Sequence, residues 1–138
     1  MELNTFTNEL LGVVVVKATD PISEYYKEFA DFYKRHNMIV DNRLFDDFTK
    51  KFGHQIYNMD GRATCNVEAG DDFDFEYGAK LAKERYLKSF ETFRINMYSM
   101  IFEKVYTTLM GAKDRMYFAI NRRDWRDSKI NSIITRAE

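Results

Sequence analysis

The chain has 138 residues, enough for one domain that buries roughly two-thirds of the surface its unfolded form would expose. Twelve Phe, nine Tyr and one Trp make up 16% of it, so aromatic side chains supply much of the apolar material for a core. A formal net charge of −1 gives no overall attraction to nucleic acid or to acidic surfaces. The single cysteine, Cys65, excludes an internal disulfide.

The sequence predicts one soluble domain over residues 1–138, located in the cytoplasm. Residues 1–9 carry two acidic side chains and no basic one, unlike the start of a secretory signal. The apolar run at Val13 to Val16 is far too short to cross a membrane. A lone cysteine also suits a reducing compartment.

The first predicted elements are a strand and a helix. Residues 11–18 contain four consecutive valines, and β-branched residues in such a run favour a buried strand. Asp20 and Pro21 follow as an N-cap and a first helical position. Apolar residues then recur every three or four positions, which predicts a helix that ends near His36.

A second helix and a hairpin are predicted next. The helix begins after Asp41, and Gly53 stands where a left-handed C-cap is expected. Asp60-Gly61 is a favourable two-residue turn for a β-hairpin that would pair Ile56 with Cys65. The fold class is therefore α+β: a mainly helical chain whose small antiparallel sheet combines this hairpin with the N-terminal strand and packs on a long helix.

That long helix is predicted from about Asp74 to Met110, a span without proline. From Ile95 onward it is apolar on nearly all sides, so it must be covered by the first helices, by a second copy or by a partner. Gly111 permits a break, and residues 112–130 are predicted to form a last helix. Whether residues 74–110 form one helix or two stays open.

An acidic segment precedes the long helix. Its spacing does not match a calcium loop. Carboxylates at a helix start cap free N–H groups and oppose the positive end of the dipole, so capping is the simplest interpretation. The alternative is a patch that binds a basic groove of a partner protein. The acidic residues in question are Glu68, Asp71, Asp72, Asp74 and Glu76.

The C-terminal segment is basic and carries the single tryptophan. Several of its basic residues can share one side of a helix, a pattern typical of phosphate-contacting surfaces. Asp114, Asp124 and Asp127 are interleaved, so a face of local ion pairs is the competing interpretation. The candidate nucleic-acid-binding residues are Arg115, Arg122, Arg123, Trp125, Arg126 and Lys129.

No residue pattern predicts catalysis, a metal site or a cofactor. His36 and His54 lack the further Cys and His ligands that zinc requires. A Cys65–His54 pair would lack an orienting third group and an oxyanion hole. Cys65 is expected to face inward from the middle of a strand, where a cysteine acts as a small apolar residue. We therefore expect a protein that is not an enzyme.

Residues 61–90 resemble a recurring element of small phage and prophage proteins of Gram-positive bacteria. In that element a strand is followed by an acidic D-x-F-D-x-x-x-G sequence and an alanine-containing basic helix. Here the helix continues much farther than the element requires. The matching residues are Cys65, Asp72, Phe73, Asp74 or Phe75, Gly78, Leu81, Ala82, Arg85 and Lys88.

The resemblance implies a phage context, in which small single-domain proteins commonly bind and block a host machine. The leading hypothesis is a non-enzymatic inhibitor of a host defence protein, a CRISPR effector nuclease above all, that is, an anti-CRISPR protein. The alternative is a small nucleic-acid-binding or phage-replication accessory protein that uses the basic C-terminal helix. A homodimer formed through residues 95–110 is a third hypothesis.

Overall fold

The computed structural model describes residues 1–66, 70 and 72–137, without the side chains of 124, 127, 128 and 131–137. The chain divides into two compact units, Met1–Met100 and Ile101–Glu138, referred to below as unit 1 and unit 2. The described residues form an α+β fold, which confirms the predicted class. Its elements are β1 (Leu3–Asn8), β2 (Val13–Ala18), α1 (Pro21–Arg35), α2 (Asn42–Tyr57), β3 (Gly61–Thr64) and α3 (Phe75–Ala137).

The described strands form one antiparallel sheet in the order β1-β2-β3. β2 is the central strand, which explains why it carries the valine run. Val14 and Val16 are buried, while Val13 and Val15 are half-buried on the opposite face. β1 and β2 are joined by a hairpin whose turn ends at Gly12, with a φ of 64° that suits glycine.

The predicted hairpin around Asp60-Gly61 is wrong. α2 continues through Ile56, which is buried, so the turn connects this helix to β3 instead of joining two strands. β3 pairs with β2, with Gly61 opposite Val16. The physical reason is that Ile56 extends the helical spacing of the aromatic residues on α2. Burial of that stripe outweighs the local preference of the turn.

The predicted starts of the first two helices are confirmed. The Asp20 carboxylate accepts hydrogen bonds from the Ser23 backbone N–H at 3.2 Å and from the Ser23 hydroxyl at 2.7 Å. These bonds lower the pKa of Asp20, since they favour its charged form. Asp41 accepts from the Leu44 N–H at 3.1 Å and caps α2 in the same way. The first helix also ends as predicted, at Arg35 with His36 as its C-cap.

Two glycines predicted to end helices lie inside them. Gly53 is buried within α2 and does not adopt the positive φ of a left-handed cap. Gly111 lies within α3, a single helix of 63 residues, so residues 74–110 are not divided and no separate last helix begins at 112. A glycine inside a helix costs about 1 kcal/mol relative to alanine. The many helix-favouring residues around Gly111 outweigh that cost.

The core of unit 1 has a part beneath the sheet and a part between helices. Val14, Val16 and Ala63 pack against Ala82 and Tyr86 of α3 beneath the sheet. The Arg85 guanidinium donates to the Arg62 carbonyl oxygen at 2.6 Å, which fixes α3 to β3.

Tyr25 is the central side chain of the helical part of the core. It is fully buried and stacks on Phe90 with ring centroids 4.1 Å apart and planes 9° apart. It also meets Phe48 edge-on at 5.7 Å. Its hydroxyl donates to the Phe90 carbonyl oxygen at 2.8 Å. Burial raises the pKa of Tyr25 because the charged phenolate would lose its hydration.

An ion-pair cluster joins α1 to α3 within unit 1. Glu28 accepts hydrogen bonds from the Arg94 guanidinium and from the Tyr98 hydroxyl, the latter at 2.9 Å. Arg94 also pairs with Glu91 of its own helix at 3.0 Å. Since Arg94 is partly exposed, this cluster orients the two helices more than it stabilises them.

The burial of α3 changes at Ile101. Met97 and Ile101 are buried, so these two residues of the predicted dimer segment 95–110 are not at the surface. Beyond Ile101, none of the side chains that the structure describes is buried. Within the single chain the first helices do not cover all sides of α3 from Ile95 onward, because Ile95 itself is 58% exposed. Cover by a second copy or by a partner stays a prediction.

Candidate functional site

The start of α3 is the first candidate site. The Asp74 carboxylate accepts a hydrogen bond from the Tyr77 N–H at 3.1 Å, and the Asp74 carbonyl accepts from the Gly78 N–H at 3.0 Å. Asp74 therefore caps the helix, as its position predicts. Glu76 lies in the first turn, where its charge opposes the positive end of the helix dipole.

Aromatic rings alternate with the carboxylates at this helix start. Phe75 and Tyr77 are both exposed, Tyr77 by 67%. Phe73 is different, since it is half-buried and packs against the core beneath the sheet. We refer to the exposed group as the acidic–aromatic surface, composed of Asp72, Asp74, Phe75, Glu76 and Tyr77.

Sequence reasoning identified only part of this surface. Glu68 and Asp71, which were predicted to belong to it, lie outside the described residues. Phe75 and Tyr77 were not among the predicted site residues. The strict alternation of acidic and aromatic residues from Asp72 to Tyr77 is the signal that could have identified them. In a helix start, that alternation places rings and carboxylates around one end of the axis.

A cleft of about 370 Å³ adjoins the acidic–aromatic surface within unit 1. Asp72, Asp74 and Tyr77 contribute to its lining together with Val14 of the sheet. Cys65 also lines it, because β3 ends at Thr64 and this residue follows the strand. The prediction that Cys65 faces inward from the middle of a strand is therefore wrong. Its thiol donates to the Asp72 carbonyl oxygen at 3.4 Å.

The basic side of α3 in unit 2 is the second candidate site. All six predicted residues, Arg115, Arg122, Arg123, Trp125, Arg126 and Lys129, are exposed on one continuous helix. Four of them lie on one side of the helix because they are spaced by seven, four and three residues: Arg115, Arg122, Arg126 and Lys129. The Lys129 ammonium lies 4.8 Å from the centre of the Trp125 ring, a cation–π contact at (i, i+4).

The predicted ion pairs of this basic side are only partly described. The side chains of Asp124 and Asp127 lie outside the description. Among the side chains that are described, no ion pair joins Asp114 to the neighbouring arginines. Among the described side chains, Asp114 therefore does not neutralise the basic side through an ion pair, as the competing interpretation expects.

The small net charge of the chain is the sum of two units of opposite charge. Unit 1 contains 13 Lys and Arg against 17 Asp and Glu, a net charge of −4. Unit 2 contains 8 against 5, a net charge of +3, and the two values sum to the overall −1. The net charge of each unit therefore has the same sign as its candidate site, and the residues of the site supply most of that excess charge.

The described residues contain no group of three or more Cys, His, Asp and Glu side chains arranged to hold a metal ion. His36 and His54 are both exposed, and the His54 ring lies near the Asn58 side-chain amide. Within the same part of the chain, no helix has both the length and the apolar character needed to span a membrane.

Comparison with known proteins gives no match, whether with family models, curated proteins or solved structures. The phage-like resemblance of residues 61–90 therefore stays a prediction. Any function assigned to this chain depends on its own residues and their geometry.

Proposed function

We propose that this protein is a non-enzymatic binding inhibitor of a host protein that processes nucleic acid. The observation that carries the proposal is the acidic–aromatic surface, where exposed rings stand among exposed carboxylates at the start of α3. A CRISPR effector nuclease is the specific target that the phage-like element of residues 61–90 suggests. In that case the protein is an anti-CRISPR protein of phage origin, acting in the bacterial cytoplasm.

The carboxylates of this surface favour a basic partner. A channel that binds nucleic acid is lined by Lys and Arg, and it attracts a local group of negative charges as it attracts phosphates. Asp72, Asp74 and Glu76 lie within five residues of one another, and they supply three of the four excess negative charges of unit 1. Such complementarity accelerates association and selects the partner more than it determines final affinity.

The aromatic residues supply the apolar contact. Tyr is enriched among residues that dominate binding energy, and such residues are most effective when polar neighbours exclude water around them. Phe75 lies between Asp74 and Glu76 in the chain, and Tyr77 directly follows Glu76. Binding here would fill the partner's channel by steric occlusion, and no chemical step is required.

Removing the charges of the acidic segment should weaken inhibition. We expect Asp71→Asn, Asp72→Asn and Asp74→Asn together to weaken binding roughly tenfold and to reduce its salt dependence, because exposed interfacial charges contribute modestly and additively. Asparagine is also a good N-cap, so α3 should keep its start. The measurement is inhibition of DNA cleavage by purified RNA-guided nucleases, with affinities determined at several salt concentrations.

The matched control removes the same charge elsewhere in unit 1. Asp31, Asp46 and Asp47 are exposed on α1 and α2, and their replacement by Asn should leave inhibition unchanged. Tyr77→Ala should also weaken inhibition, whereas Tyr57→Ala, at an exposed site on α2, should not. Equal inhibition by the acidic triple variant and the parent would eliminate this surface from the mechanism.

The second candidate function is nucleic-acid binding through the basic side of α3. The observation that favours it is the net charge of +3 in unit 2, together with an exposed Trp125 beside basic residues. Aromatic rings stack on unpaired bases, and basic side chains follow the phosphate backbone. This function would suit a phage-replication accessory protein.

Replacing three arginines should reveal such binding. We expect Arg122→Ala, Arg123→Ala and Arg126→Ala together to lower the slope of log affinity against log salt by roughly two to three, because each phosphate contact contributes about one unit. Fluorescence anisotropy with labelled single-stranded and duplex oligonucleotides measures the slope. Lys34, Arg43 and Lys50, replaced by Ala, provide a control of equal charge in unit 1. Absence of binding by the parent protein at low salt would exclude this function.

A further inference from the structure

An exposed apolar stripe runs along α3 within unit 2. Leu109 is 63% exposed and Met116 is 65% exposed, and both lie on the same side of the helix. Smaller residues, Val105, Ala112 and Ala119, alternate with them. Phe102, with more than half of its surface exposed, completes the stripe at its N-terminal end. We refer to these six residues as the apolar stripe.

We propose that a second copy of this chain covers the apolar stripe, with the two α3 helices antiparallel and related by a two-fold axis between Met110 and Gly111. This interface is independent of the proposed function, since it uses neither the acidic–aromatic surface nor the basic side of α3. It also differs from the predicted dimer through residues 95–110, because it extends from Phe102 to Ala119.

The order of large and small residues along the stripe identifies the partner as a second copy. About the proposed axis, residues whose numbers sum to 221 face one another. Large residues then meet small ones at every layer, as interdigitated packing requires. The facing pairs are Phe102 with Ala119, Val105 with Met116, and Leu109 with Ala112.

A parallel pair of the same helices would pack poorly. Identical residues would face one another, so layers of two alanines at Ala112 and at Ala119 would leave voids between the layers of large side chains. The residues of the stripe are spaced alternately by three and four, and the next step of four after Ala119 reaches Arg123. A parallel pair would therefore also place Arg123 of one copy against Arg123 of the other. The antiparallel pairing stops at residue 119 and keeps these like charges outside the contact.

The exposed area is sufficient for a modest dimer. Phe102, Tyr106, Leu109, Met116 and Ile120 are each more than half exposed. At side-chain areas of about 150–200 Å² they offer roughly 500 Å² per chain. With the smaller residues of the stripe this approaches the roughly 800 Å² per partner of a standard interface. It also lies in the upper half of the range of about 300–600 Å² for the largest apolar patch of a typical monomer, a patch that is often functional.

Sedimentation of the full chain tests the interface. We expect a reversible dimer with a dissociation constant on the order of micromolar, in keeping with an interface at the lower end of the standard size. Leu109→Glu should weaken it by roughly a hundredfold or more, because the two-fold axis places the charge in the contact twice. Phe118 is 69% exposed on the opposite side of the helix, so Phe118→Glu should leave the dimer intact. Circular dichroism confirms that both variants stay helical.

Disulfide trapping tests the direction of the pair, in a Cys65→Ser background. An antiparallel pair predicts that oxidation joins a Val105→Cys chain to a Met116→Cys chain. Either variant alone should not cross-link, because copies of the same residue lie 11 residues, or about 16 Å, apart along the axis. Cross-linking of each variant with itself would indicate a parallel pair and overturn the proposal. A parent protein that stays monomeric up to about 500 µM would also overturn it, since that affinity is too weak for the buried area.

Discussion

Gly61→Ala is expected to destabilise unit 1 by about 3 kcal/mol or more, because a Cβ at this position has no room. It would lie far inside van der Waals contact with the Ala82 carbonyl oxygen and the Tyr86 backbone nitrogen, and 2.7 Å from the Tyr86 Cβ. These are mainly backbone atoms of α3, which cannot rotate away as a flexible side chain could. The clash would force β3 away from the helix and expose the core beneath the sheet.

The same substitution at Gly111 supplies the control. A Cβ there would come no closer than 3.9 Å to the Arg115 guanidinium, which is flexible. Since alanine favours a helix over glycine, Gly111→Ala should stabilise α3 by roughly 0.5–1 kcal/mol. Urea denaturation followed by circular dichroism measures both variants. An unchanged free energy of unfolding in Gly61→Ala would mean that β3 and α3 are not in close contact.

Tyr25→Ala is expected to destabilise unit 1 by about 4 kcal/mol, since truncation of a large buried ring leaves a cavity. The lost contacts include the stack on Phe90 and the edge contact with Phe48. The lost hydrogen bond would also leave the Phe90 carbonyl without its side-chain donor. The same urea denaturation measures the effect.

Tyr25→Phe separates the ring from its hydroxyl. This variant keeps the aromatic contacts and loses only the hydrogen bond to the Phe90 carbonyl, so it should cost about 1 kcal/mol. An exposed tyrosine such as Tyr57 should change the stability by no more than about 0.5 kcal/mol when it is replaced by Ala. If Tyr25→Phe and Tyr25→Ala were equally destabilising, the hydroxyl and not the ring would be the main contribution.

Much of the helical framework could be predicted from local patterns. Asp20 and Asp41 stand directly before apolar residues at helical spacing, and both cap the helices that they precede. The valine run predicted a strand because β-branched residues favour burial in a sheet. These signals are local, since each depends on neighbours within four residues.

The sheet could not be predicted in the same way, because its pairing depends on distant residues. β1 contains two threonines and two asparagines among its six residues and lies exposed at the edge, so its pattern is weak. The Asp60-Gly61 turn gave a clear local signal that the burial of Ile56 on α2 overrode. The space available at Gly61 likewise becomes evident only when α3 is in place.

The two candidate sites also differ in how much of each could be predicted from the sequence. The placement of the basic residues of α3 on one side of a helix could be predicted, because helical spacing alone determines it, although the helix does not begin at residue 112. At the acidic segment, sequence reasoning selected residues by charge and therefore overlooked Phe75 and Tyr77. An aromatic residue in a sequence is first assigned to the core, and only the structure distinguishes Phe73, which is packed, from Phe75, which is exposed.

The position of α3 in the chain has a consequence for folding during synthesis. The sheet, α1 and α2 all emerge before α3, yet Val14 and Tyr25 gain their partners Tyr86 and Phe90 only from that later helix. We therefore expect the nascent chain to expose the valines of β2 and the apolar side of α1 until the residues up to about Met97 have left the ribosome. During that interval the uncovered apolar surface favours aggregation, and we expect the rapid local formation of α3 to protect the chain.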